Sequence, residues 1–388
     1  MELSKRVTNI KPSLTLAITA KAKRMKKAGI DIVSFGAGEP DFDTPDHIKA
    51  SAIKAIHDGF TKYTPASGTP ELKEAIVKKL LRDNGLTYDP TNIIVSCGAK
   101  HTLYNIFQAI SDSADEVLIP SPYWLSYPEM VYLASAKPVF IKTKEEDLFK
   151  IRPVDLKKAI TDRTKALILN SPSNPTGTVY DDKELQEIAD IAVSKNILIV
   201  SDEIYEKLIY GGGKHTSIAS IGEKIKSLTL LVNGVSKSYS MTGWRIGYMA
   251  GNAKVVSAID NIQSHSTSNP TSISQKAALE AITGDQSSIG HMKKEFESRR
   301  DYMVERLNKI PGFCATLPQG AFYTFCNIKE TGCDSIEIAN KLLDEAKVAL
   351  VPGKPFGSND HVRLSFATSA AEIEKGLDRI EKWVQERR

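Results

Sequence analysis

"KALILNSPSNPTGTVYDDKELQEIADIAVSKNILIVSD", residues 165–202, sets two short apolar runs on either side of a longer, charged stretch. "KALILN" and "NILIVSD" are rich in branched aliphatic residues, as buried strands are. "DDKELQEIADIAVSKN" (181–196) carries its apolar residues at helical spacing and reads as an amphipathic crossover helix. A tight turn could join antiparallel strands, whereas parallel neighbours need a crossover of this length. The unit therefore reads as strand, helix, parallel strand.

The same texture extends in both directions. "NIIVS" (92–96), "EVLIP" (116–120) and "LTLLVNG" (228–234) are further β-branched or aliphatic runs. "DHIKASAIKAIHDG" (46–59) and "PELKEAIVKKLLRDNG" (70–85) have helical periodicity, the second with Pro70 suited to its first turn and Gly85 to its end. Strands apolar throughout and separated by helices imply an α/β fold with a mostly parallel central sheet covered on both faces. After about residue 285 the pattern changes. "HMKKEFESRRDYMVERLNKI" reads as a long charged helix, "GAFYTFCNI", "VALVPG" and "HVRLSFAT" as strands, and "AAEIEKGLDRIEKWVQERR" as a closing helix. The expected organisation is an N-terminal arm that also forms part of a small domain (1–46), a large domain (47–284) and a small α+β domain (285–388).

Composition narrows the partners. The chain has 388 residues, 41% hydrophobic and 25% charged, with a formal net charge of +4. So small a charge gives no electrostatic case for nucleic acid or an anionic membrane as partner. The most basic stretch, "KAKRMKKAGI" (21–30), spaces Lys23 and Lys27 as i,i+4 neighbours and reads as a solvated helix face. Cys97, Cys314, Cys326 and Cys333 have no metal-ligand spacing, and no metal is expected. With no apolar run long enough to span a bilayer and no signal-peptide core, the expected location is cytoplasmic.

In an open parallel sheet, ligands bind beyond the carboxyl ends of the strands. "KALILN" runs into "SPSNPTG" and presents Asn174; "NILIV" runs into "SDEIYE" and presents Asp202 and Tyr205. "LTLLV" runs into "NGVSKSYSMTGWRIG", with Lys237 and, eight positions on, Arg245. "NIIVS" runs into "CGAKHT", whose Gly98, Ala99 and Lys100 form a small-residue turn opening a helix. Taken singly these are a turn residue, a helix cap, a loop lysine and a tight turn. Their convergence on one sheet edge points instead to a shared ligand.

The neighbours of Lys237 sharpen that reading. Ser236, Ser238, Tyr239, Ser240, Met241 and Trp244 offer an ammonium no charge, and a desolvated lysine becomes a nucleophile able to form an imine. The set suits a phosphorylated aromatic aldehyde. Lys237 would bond the carbonyl and Asp202 would keep a ring nitrogen protonated, while Asn174 and Tyr205 would hydrogen-bond a phenolate oxygen. Arg245, Ser236 and the turn at 98–100 would hold the phosphate. Trp124, in "SPYWLSYPEM", would stack on the ring, or else is a core aromatic.

With these residues in place, the chain resembles the class I, fold type I aminotransferases dependent on pyridoxal 5′-phosphate, most closely the bacterial-type aspartate aminotransferases, some of which also use prephenate. "GAGEPDFDTP", "KYTPASGTPELKEAI", "NSPSNPTG", "SDEIYE", "GVSKSYSMTGWRIG" and "VRLSFATS" occur in that family's order and cover nearly the whole chain. The resemblance implies that Lys237 is the Schiff-base lysine, Asp202 the partner of the pyridine nitrogen, Tyr205 and Asn174 the partners of the phenolic oxygen, and Arg245 the phosphate ligand. It further implies a homodimer with shared active sites, in which Tyr63 reaches the phosphate of the other subunit. Gly38 and Arg363 would take the substrate α-carboxylate, beside Trp124 and Asn174. Two departures stand out: Gly234 replaces a common phosphate-binding serine, and Lys100 replaces a smaller residue. Lys100 either binds the phosphate or, assisted by Thr15, reaches the distal carboxylate of an acidic substrate.

The implied reaction is ping-pong transamination between L-aspartate and 2-oxoglutarate, giving oxaloacetate and L-glutamate, with prephenate as a further substrate. Its partners are amino acids and 2-oxo acids. A β-lyase on the same scaffold and an aminotransferase for aromatic or neutral amino acids are the alternatives. A regulatory module of this fold would need a DNA-binding domain, which is not expected here, and no strand is followed by the GxGxxG of a dehydrogenase.

Overall fold

The computed structural model describes residues 3–8, 10 and 14–387. Its centre is a seven-stranded sheet of β1 (Ile93–Ser96), β2 (Glu116–Ser121), β3 (Lys137–Lys142), β4 (Thr164–Asn170), β5 (Leu198–Asp202), β6 (Thr229–Gly234) and β7 (Gly247–Ala250). The spatial order is β1-β7-β6-β5-β4-β2-β3. All neighbours are parallel except the two pairs made by β7, which is antiparallel to β1 and β6.

The crossover helix between β4 and β5 spans Asp182–Lys195. Asp181 caps it by accepting from the Glu184 amide, and the Glu184 side chain returns the contact. Alternate residues of β4 point to opposite faces. Leu167 and Leu169 pack with Leu185, Ile188 and Ile199, while Ile168 packs with Leu103, Phe107, Val200 and Val232. Both faces are thus covered by helices, which is why β1 and β6 are buried at every position.

Two strands of this sheet were not apparent from the sequence. β3, "KPVFIK", is an edge strand whose lysines and Pro138 hide the hydrophobic signal, and such residues also discourage pairing on its free side. β7, "GYMA", has four residues and no period to read. It matters for the site, because an antiparallel strand begins at the edge where its parallel neighbours end.

Towards the C terminus, the helix Ser287–Leu307 precedes an antiparallel sheet of Val351–Pro352, His361–Ser365, Tyr323–Asn327 and Cys314–Ala315, and the helix Ala370–Gln385 closes the chain. "VALVPG" divides between two sheets. Val351–Pro352 pairs with Arg363 and Val362, whereas Val348–Ala349 pairs in parallel with Val33–Ser34. Phe35, Phe296, Phe322, Phe366 and Leu377 share one core around these elements. Among the described residues, no helix is long and apolar enough to cross a membrane.

Candidate active site

The carboxyl edge of the sheet is built by short, tightly held turns. Asn170, the last residue of β4, donates to the Asp202 carbonyl (2.9 Å) and accepts from the Asn174 amide (2.8 Å), which folds "SPSN" back over the end of β5. Lys237 lies three residues past β6, and Arg245 lies two residues before β7. Gly98 (φ +89°) turns the chain from β1 into the helix Ala99–Ile110. An added Cβ at Gly98 would overlap the Arg245 guanidinium, so that guanidinium sits directly on the helix start.

These turns open into a cavity of about 720 Å³. Its lining brings together Gly38, Ala99, Lys100, Trp124, Asn174 and Asp202, and with them Tyr205, Ser236, Lys237, Arg245 and Arg363. Gly98 lies just behind, against Arg245. Tyr63 does not join them; it is 90% exposed. The side chain of Thr15 is outside the described residues. Gly234, the position noted for its missing serine, faces β7: a Cβ there would meet the Ile246 carbonyl at 2.9 Å, leaving no room for a serine.

Asp202, Lys237 and Lys100 are each perturbed in a direction their surroundings explain. Asp202 is buried, and desolvation raises its carboxyl to about 6, although Oδ2 accepts from Tyr127 Oη (2.7 Å) and Oδ1 from the Ile204 amide (3.3 Å). Desolvation lowers Lys237 to about 8, against the pull of Glu39; Arg363 and Arg245 add to the lowering. Its Nζ donates to the Gly38 carbonyl at 2.5 Å. Lys100 is also lowered, first by burial and then by Arg245, and its Nζ sits 4.9 Å from the centre of the Trp124 ring. Arg363 is buried on the strand His361–Ser365, donates to Asn174 Oδ1 (2.9 Å) and stacks over Tyr323 at 4.2 Å. Its Nε has no partner among the described residues.

Among the described residues, no ion pair neutralises Lys100, Lys237, Arg245, Arg363 or Asp202. A buried guanidinium with a free N–H wants a carboxylate, and a buried carboxylate without a cation wants a protonated partner. Arg245 and Lys100, together at a helix N-terminus, want a multivalent anion. The donor set therefore fits pyridoxal 5′-phosphate together with the α-carboxylate of an amino acid.

Several contributors went unrecognised in the sequence. Tyr127 follows Trp124 by three residues, in the first turn of the helix Ser126–Leu133, and its hydroxyl is the side-chain donor to Asp202. Tyr323 meets the Tyr205 hydroxyl at 3.0 Å and underlies Arg363; alternation with buried Phe325 was the signal available. Lys23 is exposed on the helix Leu14–Lys27 as expected, yet it also lines the cavity. Nearby, Glu203, Glu206 and His215 cluster at ligand-like distances. Ser201, Ser217 and His215 occupy the Glu203 carboxylate, and Lys79 and Asn84 that of Glu206, so protein donors already meet both carboxylates.

Comparison with known proteins agrees with this geometry. A family model described as aminotransferase class I and II matches residues 30–380. The aspartate aminotransferase of Geobacillus stearothermophilus is 53% identical, covering 100% of both chains. The aspartate/prephenate aminotransferase of Nitrosomonas europaea is 47% identical, covering 98% of this chain and 99% of its own. Among solved structures, the aspartate aminotransferase of Thermus thermophilus with maleate superposes with a TM-score of 0.95 at 44% identity, covering 98% of this chain and 99% of that one.

Proposed function

The chain belongs to the class I and II aminotransferases, and from that premise we propose that it transfers the amino group of L-aspartate to 2-oxoglutarate with pyridoxal 5′-phosphate as cofactor. Prephenate is a further amino acceptor in this reading, as the name of the Nitrosomonas relative suggests. The observation that carries the proposal is the charge balance of the cavity. Among the described residues, Lys23, Lys100, Lys237, Arg245 and Arg363 line it against only Glu39 and Asp202. That surplus suits a cofactor phosphate and a substrate with two carboxylates.

Bound there, pyridoxal 5′-phosphate would supply the aldehyde and the electron-withdrawing ring that labilise the bonds at the amino acid Cα. Asp202 would hold the ring-nitrogen proton, and pairing with that cation would return its carboxyl to the ionised form. Arg245, Ser236 and the amides at Gly98–Lys100 would hold the phosphate. Tyr205 and Asn174 would donate to the phenolic oxygen, and Trp124 would cover the ring. Arg363 and Gly38 would fix the α-carboxylate, which sets which Cα bond faces the amine. Lys237 Nζ, with its basicity lowered by burial, is deprotonated in an appreciable fraction near neutral pH and can take the Cα proton.

The same reading divides the chain into residues 1–46, 47–284 and 285–388. The pairing of Val33–Ser34 with Val348–Ala349 supports assigning part of the first segment to the small domain. It also calls for a homodimer, in which the exposed Tyr63 enters the neighbouring site. Borohydride reduction of the cofactor-loaded protein and peptide mapping should place the pyridoxyl group on the peptide containing Lys237; a label on another lysine overturns the assignment. A panel of amino donors with 2-oxoglutarate then tests specificity. Aspartate should lead, and pyruvate and ammonia released without an oxo-acid acceptor would mean a β-lyase instead.

A further inference from the structure

Lys237 is held by a residue from the opposite side of the cavity. Its Nζ donates to the carbonyl of Gly38, and Gly38 follows Val33–Ser34, which pairs with Val348–Ala349 rather than with the central sheet. Side chains lace these two parts together. Thr44 Oγ1 donates to the Ser240 carbonyl (2.7 Å) and accepts from Trp244 Nε1 (3.0 Å). Thr242 Oγ1 donates to Glu39 Oε2 (2.7 Å). Of these contacts, only that between Thr242 and Glu39 carries a charge, and both of its residues line the cavity.

We propose that Glu39 and Thr242 form a latch that positions Lys237, tying the Gly38 loop to the loop that carries the amine so that the Gly38 carbonyl meets Nζ. Neither residue touches the reacting atoms, so both act through Gly38 and Lys237. The latch deepens the functional reading above and rests on Lys237 being the reacting amine.

A carboxylate held in this place also acts on the amine through its field. Among the described residues, the charged and titratable groups that share the cavity with Lys237 are Glu39, Asp202, Arg245, Arg363, the more distant Lys23 and Lys100, and the hydroxyls of Tyr127, Tyr205 and Tyr323. The two arginines and burial favour the neutral amine. Glu39 is the stronger of the two carboxylates that oppose them. Glu39 therefore both fixes the acceptor of Nζ and moderates how far the amine is deprotonated.

The test uses the cofactor-free protein, so it does not depend on turnover. Modification of Lys237 by acrylonitrile, an electrophile to which an amine adds only in its neutral form, is followed against pH by peptide mapping. The wild-type midpoint is expected at about 8. Glu39→Gln keeps an acceptor for Thr242 but loses the charge, so its midpoint should fall by roughly half a unit or more. Glu39→Ala and Thr242→Val should shift it the same way, and Thr242→Ser should restore wild-type behaviour. Combining Glu39→Ala with Thr242→Val should shift it no further than the larger single change, because the two residues act as one unit. An unchanged midpoint in Thr242→Val or in both Glu39 variants, or additive effects in the double variant, would overturn the latch. Failure of the functional reading is distinct: it appears as a borohydride label on a different lysine, whatever the midpoints do.

Discussion

Replacing Asp202 with asparagine should separate what the site costs the fold from what it does for function. Asp202 ends β5 in a buried position, where its carboxyl is raised from 3.8 to about 6. Asparagine is nearly isosteric: its Oδ1 can still accept from the Ile204 amide while its Nδ2 donates to the Tyr127 hydroxyl oxygen, so both contacts are kept. A carboxyl pKa raised on folding means that the native state binds more protons than the unfolded chain between the two values. Stability therefore falls as pH rises from about 4 to about 6, and the cost is fully present above that window. A rise of about two units corresponds to roughly 3 kcal/mol at 1.36 kcal/mol per unit.

Urea unfolding of the cofactor-free wild type and Asp202→Asn, at one protein concentration across pH 5–8, reads this directly. At pH 8 the variant should be the more stable by about 1–3 kcal/mol, with the gain shrinking as pH drops through 6. Loaded with cofactor, the order reverses. No carboxylate then holds the ring-nitrogen proton, so transamination should collapse and cofactor retention weaken. A variant no more stable than wild type at pH 8, or a gain that does not change between pH 8 and 5, would refute the view that Asp202 is an uncompensated buried charge.

Lys100→Ala should lower kcat/KM for dicarboxylic donors about ten- to a hundredfold, the value of one charge-assisted hydrogen bond, while sparing alanine or phenylalanine in the first half-reaction. An equal loss for all donors, with weaker cofactor retention, would assign Lys100 to the phosphate. Gly98→Ala places a Cβ at positive φ against the Arg245 guanidinium, so stability should drop by roughly 1–3 kcal/mol and phosphate affinity of the cofactor-free protein should fall; unchanged binding by calorimetry would contradict the cradle. Inactive Lys237→Ala chains mixed with inactive Tyr63 variants should regain activity through hybrid dimers with one intact site, and no recovery after refolding together would argue against shared sites.

The sequence conveyed some of this well and some of it poorly, for physical reasons. Buried parallel strands need uninterrupted aliphatic residues, so β4, β5 and β6 were evident from composition alone. Polar residues at their ends stand out by contrast, which singles out Asn174, Asp202 and Lys237, and all three line the one cavity. Edge strand β3 and the four-residue β7 lack that contrast. Tyr127 and Tyr323 were missed because a buried tyrosine looks like any core aromatic until its hydroxyl is seen to meet Asp202 or Tyr205. Lys23 was read from its own helix alone, and a sequence does not say that a solvated face also borders a cavity.

The spacing of Lys237 and Arg245 shows how much depended on β7. In the sequence, an amine and a guanidinium stand eight positions apart, and nothing says why. In the structure, β6 ends at Gly234, whose ladder partner is Gly247, the first residue of β7. The intervening chain must therefore leave and re-enter the sheet at the same edge, carrying Lys237 near its exit and Arg245 near its return. Gly247 is also paired with Ser96 at the end of β1. A Cβ on Gly247 would overlap the backbone of Gly98 and Ala99, and one on Gly234 would press on Gly247 itself. Two strand ends and a helix start thus approach closely because glycine stands at the crossings. That closeness delivers Arg245 to the helix N-terminus, with the amine of Lys237 in the same cavity. Had β7 been parallel, its start would lie at the far edge, and Arg245 would be a sheet's length from the Lys237 amine.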